Sequence, residues 1–235
     1  RDQPRSRGLG DVYKRQGPSP RIAVLGGSKA TDSVTISKNF LEKGVETVLT
    51  GGVVANVFLI ASGVDLGKPS TDFIVENIKN HEKVIAKAKQ LIDKYGERIV
   101  IPSDVALNEN GLRRGIPVKE LPTEYAVYDI GLDTLVRYID IIEKAGTVIS
   151  NGPMGVFENP EFAAGTREIF NAMANSQGIT VVGGRETTMA FNQMGLSSKV
   201  EHLSTGGGSC ISFMSGETMP VLEAMRRSKA TYESK

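Results

Sequence analysis

One cysteine, Cys210, is all the thiol chemistry in this 235-residue sequence. It excludes an intrachain disulfide framework and any zinc site built from several cysteines, and it fits a reducing compartment. A lone thiol of this kind reads as core packing rather than as a reactive group. An excess of one charge is also missing. Twenty-eight Lys and Arg against 27 Asp and Glu leave a net charge of +1, so no global field recruits nucleic acid or an anionic membrane, and any anion site must be local. No apolar run reaches the length of about 18 residues that reads as a membrane span, and no hydrophobic segment follows the basic N-terminus. His81 and His202 lack a second histidine or cysteine at ligand spacing and read as structural. Neither G-x-x-x-x-G-K-[ST] nor G-x-G-x-x-G occurs, which removes the two commonest glycine-rich phosphate fingerprints. The expectation is a soluble, cytoplasmic protein with no nucleic-acid or membrane partner.

Glycine is abundant, and it is grouped. Five clusters each follow a short apolar run: Gly26-Gly27-Ser28-Lys29, Thr50-Gly51-Gly52, Asn151-Gly152-Pro153-Met154-Gly155, Gly183-Gly184-Arg185-Glu186-Thr187 and Ser204-Thr205-Gly206-Gly207-Gly208. If those runs are parallel strands, the clusters share the carboxyl edge of one sheet, where open α/β folds bind ligands.

Residues 1 to 17 stand apart. They hold four arginines and a lysine with almost no apolar periodicity, and they read as a disordered basic arm or a non-native leader. From Arg21 onward, β-rich runs alternate with helical segments, the pattern of βα units around a mainly parallel sheet. Strands are expected at Ile22 to Leu25, Val45 to Leu49, Arg98 to Ile101, Tyr125 to Tyr128, Thr147 to Ser150, Ile179 to Val182 and Lys199 to Leu203. Leu132, Leu135, Val136, Ile139, Ile142 and Ala145 recur at helical spacing, with Asp133 as a plausible N-cap. Thr71 to Tyr95 reads as one long, lysine-rich helical segment, and Pro102 to Pro122 as a surface excursion with a small hairpin. No linker divides residues 18 to 235, so one domain is expected.

Each cluster has a functional reading and a plainer one. Gly26 and Gly27 would let backbone N–H groups approach an anion, with Lys29 adding a mobile cation at a helix start; strand-to-Gly-Gly turns also occur without ligands. Glu186 would offer an oxygen to Mg²⁺ on a nucleotide, or it and Thr187 simply cap a helix. Gly206, Gly207 and Gly208 are entropically costly for structure alone and suggest an anion cradle. Between Asn151 and Glu158, a rigid loop would lie against a nucleoside. Val156 and Phe157 would provide an apolar surface and Glu158 would accept from ribose hydroxyls; a tight turn with an acidic helix start is the alternative.

Taken in order, the GGSK, NGPMGVFE, GGRET and STGGG segments closely resemble the C-terminal, nucleotide-binding half of phosphoglycerate kinase, from Arg21 to Pro220. The resemblance implies a Rossmann-like three-layer α/β sandwich. It also implies Mg²⁺-dependent, reversible phosphoryl transfer between ATP and the carboxylate of 3-phosphoglycerate. By motif, Gly27, Ser28 and Lys29 would meet the transferring phosphoryl group, with Lys29 catalytic. Glu186 would hold Mg²⁺, and Gly184, Arg185 and Thr187 would form the phosphate loop. Gly206, Gly207 and Gly208 would stabilise the transition state. Gly51, Gly52, Gly131, Leu132 and Val156 would form the adenine pocket, Asn151 and Pro153 would lie along the nucleotide, and Glu158 would take the ribose.

Three departures qualify that transfer. Ser33 stands where many members carry a second lysine, a pattern associated with archaeal-type members. Arg185 replaces the third glycine of the phosphate loop. If that backbone needs a positive φ, the arginine strains it and weakens nucleotide binding; otherwise its guanidinium adds charge near the phosphates. Finally, family members grip 3-phosphoglycerate with a separate N-terminal domain that residues 1 to 17 cannot replace, so this chain is expected to bind nucleotide without turnover. Two other readings remain, a non-catalytic nucleotide-binding module and a dinucleotide-binding oxidoreductase domain. The missing fingerprint disfavours the second.

Overall fold

A computed structural model describes residues 17–204 and 215–216. The leader through residue 16, Cys210 and the Gly206 to Gly208 run lie outside the described residues.

Six strands, β1 (Arg21–Leu25), β2 (Thr47–Thr50), β3 (Ile99–Val100), β7 (Thr147–Asn151), β8 (Ile179–Gly183) and β9 (His202–Leu203), form one sheet in the order β3-β2-β1-β7-β8-β9. Every pairing in it is parallel. A sheet of this kind is buried on both faces, so its strands run almost continuously apolar. Ala23, Leu25 and Val48 point into one core with Val34 and Phe40 of α1 (Ala30–Glu42), Phe58 of α2 (Gly52–Ala61) and Leu91 of α4 (His81–Tyr95). Ile22, Val24, Leu49 and Val148 point into the other, against Tyr138 of α5 (Leu132–Glu143), Phe170 of α6 (Ala164–Asn175) and Phe191 of α7 (Arg185–Gln193). The result is the α/β three-layer sandwich, with α3 (Lys68–Asn77) preceding α4.

Four local expectations are corrected. The segment from Thr71 to Tyr95 is two helices, broken before α4 by Asn80 at φ 56°. The strand expected at Tyr125 to Tyr128 is β6 (Val127–Ile130), and it belongs to a second, antiparallel sheet of order β5-β4-β6. Its partners β4 (Asp104–Glu109) and β5 (Leu112–Pro117) are the hairpin read from the excursion. Asn110 and Gly111 both have positive φ there, as a tight hairpin turn matched to strand twist requires. Of Lys199 to Leu203, only His202 and Leu203 are strand.

The fourth correction concerns α5. Its N-cap is Gly131, not Asp133. The capping carboxylate comes from Asp104 on β4, which accepts from Asp133 N at 3.0 Å and Thr134 N at 2.7 Å. Gly131 is needed because a Cβ there would overlap that carboxylate. Docked this way, α5 turns Leu135, Tyr138 and Ile142 inward and leaves Leu132 and Val136 at 64% and 68% exposure. The Tyr138 hydroxyl reaches the strand ends, 2.9 Å from Thr50 O and 2.8 Å from Val100 O. Burial pushes its phenol well above the ordinary value, so it stays a donor. Tyr138→Phe is expected to cost about 1–2 kcal/mol in denaturant unfolding, and an unchanged midpoint would contradict this hydroxyl's role.

Candidate functional site

The strand order reverses between β1 and β7: β2 and β3 lie to one side, β8 and β9 to the other. In open α/β sheets that reversal leaves a crevice beyond the carboxyl ends. Four glycine clusters converge on this edge, because each follows the last residue of β1, β2, β7 or β8. Of the fifth, Ser204 is described and donates its N–H to Val182 O at 2.8 Å, and Gly206 to Gly208 lie outside the described residues.

Their backbones are bonded to one another. Gly26 N donates to Asn151 O at 2.8 Å, Gly27 N to Pro153 O at 2.7 Å, Gly52 N to Met154 O at 2.6 Å and Val53 N to Gly27 O at 3.1 Å. Gly51 N donates to Leu25 O at 2.9 Å, and Gly152 N to the Thr187 hydroxyl at 2.6 Å. The expectation that Gly26 and Gly27 aim free N–H groups at an anion is therefore corrected. Those donors, and the first two of α2, are spent holding the loops together. Small residues serve here because three chain segments pass too close for side chains.

Beside this rim opens a cleft of about 210 Å³. Of the expected site residues, Gly27, Ser28, Gly52, Pro153, Val156, Glu158 and Glu186 line it. Lys29, Gly51, Gly131, Leu132, Asn151, Gly184, Arg185 and Thr187 do not. Gly51, Asn151 and Thr187 support the rim. Gly131 and Leu132 start α5, and the Leu132 side chain faces solvent rather than an adenine pocket. Ser28 and Lys29 are exposed at the entry to α1, and among the described residues Lys29, Arg185, Glu186 and Glu158 make no ion pair.

The Arg185 strain reading is also corrected. Gly184, the N-cap of α7, carries the positive φ of 90°, whereas Asn80 and Asn110 are the non-glycine residues with positive φ among those described. Arg185 begins α7 with an ordinary backbone and an exposed side chain, so only its charge can act on a ligand.

Several cleft residues were not expected. Phe73, Pro102, Val105, Val127 and Ile130 give the cleft apolar lining, and Asn56 and Asp129 line it too. Asp129 is fully buried and fixes the wall. Its Oδ2 accepts from Arg113 Nη1 at 2.7 Å and Gly165 N at 2.8 Å, and its Oδ1 from Ile130 N at 2.9 Å. Next to it Val156 N donates to Tyr128 O at 2.8 Å, tying the loop after β7 to β6. Burial raises the Asp129 carboxyl above the ordinary value, against the opposing effects of the Gly165 N–H and the Arg113 charge. The available sequence signal was a carboxylate inside the strand Val127-Tyr128-Asp129-Ile130 and an amide inside the apolar run Val53 to Ile60.

Among the described residues, no group of three His, Cys, Asp or Glu is placed to hold a metal ion, and no helix is long and apolar enough to cross a membrane.

Comparison with known proteins gives these features a family. The model of the family "Phosphoglycerate kinase" matches residues 8–217, reaching into the segment read as a leader. Phosphoglycerate kinase of Thermoplasma volcanium is 47% identical over 95% of this chain and 55% of its own length, and that of Thermoplasma acidophilum is 46% identical over 94% and 54%. The crystal structure of the Pyrococcus horikoshii enzyme superposes with a TM-score of 0.84 at 37% identity, covering 94% of this chain and 55% of that one. The chain thus spans about half the length of the relatives it matches. With a family model matched along most of its residues and a solved relative sharing its fold, the chain belongs to the phosphoglycerate kinase family.

Proposed function

We propose that these 235 residues are the C-terminal, nucleotide-binding half of a phosphoglycerate kinase, and that Mg·ADP or Mg·ATP occupies the cleft at the β1/β7 reversal. The observation that carries this reading is the cleft's division of labour. Phe73, Val105, Val127 and Ile130 give the cleft apolar lining suited to a base, while Glu158, Ser28 and Glu186 give it polar lining suited to ribose and phosphates. Glu158 would take the ribose hydroxyls. Lys29 and Arg185, both exposed and without ion pairs among the described residues, would supply positive charge to the phosphates.

Glu186 suits Mg²⁺ in one respect. It is an exposed carboxylate lining the cleft, and Mg²⁺ commonly binds one or two carboxylates together with phosphate oxygens and water. When bound, the cation would neutralise charge on the transferring group. In the whole kinase the reaction would be reversible transfer between ATP and the carboxylate of 3-phosphoglycerate. Such chemistry depends on positioning and charge neutralisation more than on an acid or base. Gly206 to Gly208 would stabilise the transition state. The basic grip on 3-phosphoglycerate would come from the other half, so these residues alone would bind nucleotide without turning it over.

Calorimetric titration with Mg·ADP, run beside a coupled kinase assay with ATP and 3-phosphoglycerate, tests both parts. Saturable one-site binding without turnover is expected. Absence of binding would defeat the nucleotide reading, and turnover would defeat the division between halves. Because Arg185 acts through charge alone, Arg185→Gly is expected to weaken Mg·ADP binding roughly fivefold, the scale of one exposed charge-assisted contact of about 1 kcal/mol. An unchanged dissociation constant would remove Arg185 from the site.

A further inference from the structure

Arg113 lies on β5, an outer strand of the small sheet, yet its guanidinium crosses β4 to reach β6. Its Nη1 donates to Asp129 Oδ2 and its Nη2 to Ile130 O, both at 2.7 Å. The fork grips two successive residues of one strand, which the point charge of a lysine would not do. The same carboxylate seats the segment from Gly155 to Gly165. A Cβ at either of these glycines would overlap the Asp129 carboxylate, so both feet of the loop press on one buried side chain. Gly165 N adds a bond to Oδ2 at 2.8 Å. Between the feet the loop bonds locally, Phe157 N to Gly155 O and Asn159 N to Val156 O. It also leans on β6, through Val156 N on Tyr128 O and through the edge contact of the Phe162 and Tyr128 rings, 5.0 Å between centroids. Gly155, Val156 and Glu158 of this loop line the cleft. The place of β6 therefore sets the place of Glu158, and Arg113 holds β6 without lining the cleft itself.

Resting on the reading of Glu158 as the ribose ligand, we propose that Arg113 and Asp129 form a positioning pair, fixing the feet of the Gly155 to Gly165 loop so that the Glu158 carboxylate meets the ribose hydroxyls. A loop loosened at its feet still carries that carboxylate, but ordering it then costs affinity. The glycine rim is bonded through Asn151, Pro153 and Met154, ahead of this loop in the chain. Loss of the pair therefore harms ribose recognition and leaves phosphate recognition standing. A pair that merely held the fold together would weaken both.

The test measures dissociation constants of the 235-residue chain for Mg·ADP, for the magnesium complex of 2′,3′-dideoxy-ADP, which lacks both hydroxyls, and for magnesium tripolyphosphate. The parent is expected to prefer ADP to the dideoxy compound by roughly tenfold, the scale of one charge-assisted hydrogen bond. The double variant Arg113→Met, Asp129→Asn keeps an acceptor for Gly165 N and leaves no unpaired charge. It is expected to lose that preference, with the other two ligands unchanged. Arg113→Lys keeps the cation but not the fork, so it folds with the ion pair in place and should show an intermediate loss for ADP alone. In a Glu158→Ala background, Arg113→Lys should bring no further loss, because the pair acts through that carboxylate. The proposal is overturned if both Arg113 variants keep the ADP preference, if all three ligands weaken together, or if the Arg113→Lys effect persists without Glu158. A parent that binds both nucleotides equally overturns the ribose role of Glu158 and the pair's role with it. A parent that binds neither nucleotide overturns the nucleotide reading itself, a result distinct from the rest.

Discussion

Gly152→Ala is expected to destabilise the fold by at least about 3 kcal/mol and to abolish nucleotide binding. Gly152 has φ 91°, and left-handed geometry costs an alanine roughly 1–2 kcal/mol. The larger part is steric. A Cβ there would overlap the Gly26 carbonyl and lie 2.8 Å from Gly27 N, and neither backbone can yield without breaking the bonds from Gly26 N to Asn151 O and from Gly27 N to Pro153 O. Two controls separate these effects. Gly63 has φ 96° with nothing within 4 Å, so Gly63→Ala should cost only the conformational part, about 1–2 kcal/mol. Gly115 also faces open space, and its φ lies outside the left-handed range, so Gly115→Ala should be near neutral. Equal effects at all three sites in denaturant unfolding would contradict the interlocked rim.

The second large effect is at Asp129. Asp129→Ala is expected to cost about 3–5 kcal/mol, because it leaves Arg113, itself only 18% exposed, without its counter-ion. It also frees Gly165 N at the start of α6. The double variant Arg113→Met, Asp129→Ala should cost less than the sum of the single changes, since no unpaired charge remains. Burial raises the native carboxyl above its unfolded value, so between those two values the native state binds more protons than the unfolded state. The contribution of Asp129 to stability must therefore fall as pH rises through that window and level off above it. Unfolding free energies of parent and Asp129→Asn, followed upward from the ordinary carboxylate value, should show the parent losing ground to the variant with rising pH. A difference moving the other way would contradict the assigned burial effect.

The sequence made the sheet legible because its strands are buried on both faces. Ile22 to Leu25 and Thr147 to Ser150 are apolar or small enough to mark them without a partner in view. It marked the carboxyl-edge loops by their glycines but not what those glycines do. A row such as Gly26-Gly27 looks the same whether its N–H groups face a phosphate or Asn151 O and Pro153 O, and only the approach of a loop some 125 residues later decides between them. Leu132 and Val136 misled for a similar reason. Helical spacing identifies candidate faces, but the Asp104 carboxylate, far back in the chain, fixes which face of α5 turns inward. Asp129 and Tyr138 depend wholly on long-range partners. The family motifs were legible as an ordered set because order and spacing survive in sequence.

The central claim is that interlocked glycine loops at the β1/β7 reversal form a preset rim beside a nucleotide cleft. A crystal structure of the 235-residue chain with Mg·ADP tests it most directly. The account predicts the base between α2 and β6, the phosphates towards Ser28, Lys29 and Arg185, and the Gly26–Asn151, Gly27–Pro153 and Gly52–Met154 bonds intact. Nucleotide bound elsewhere, or a rim whose glycine N–H groups have left those carbonyls for the phosphates, would contradict it.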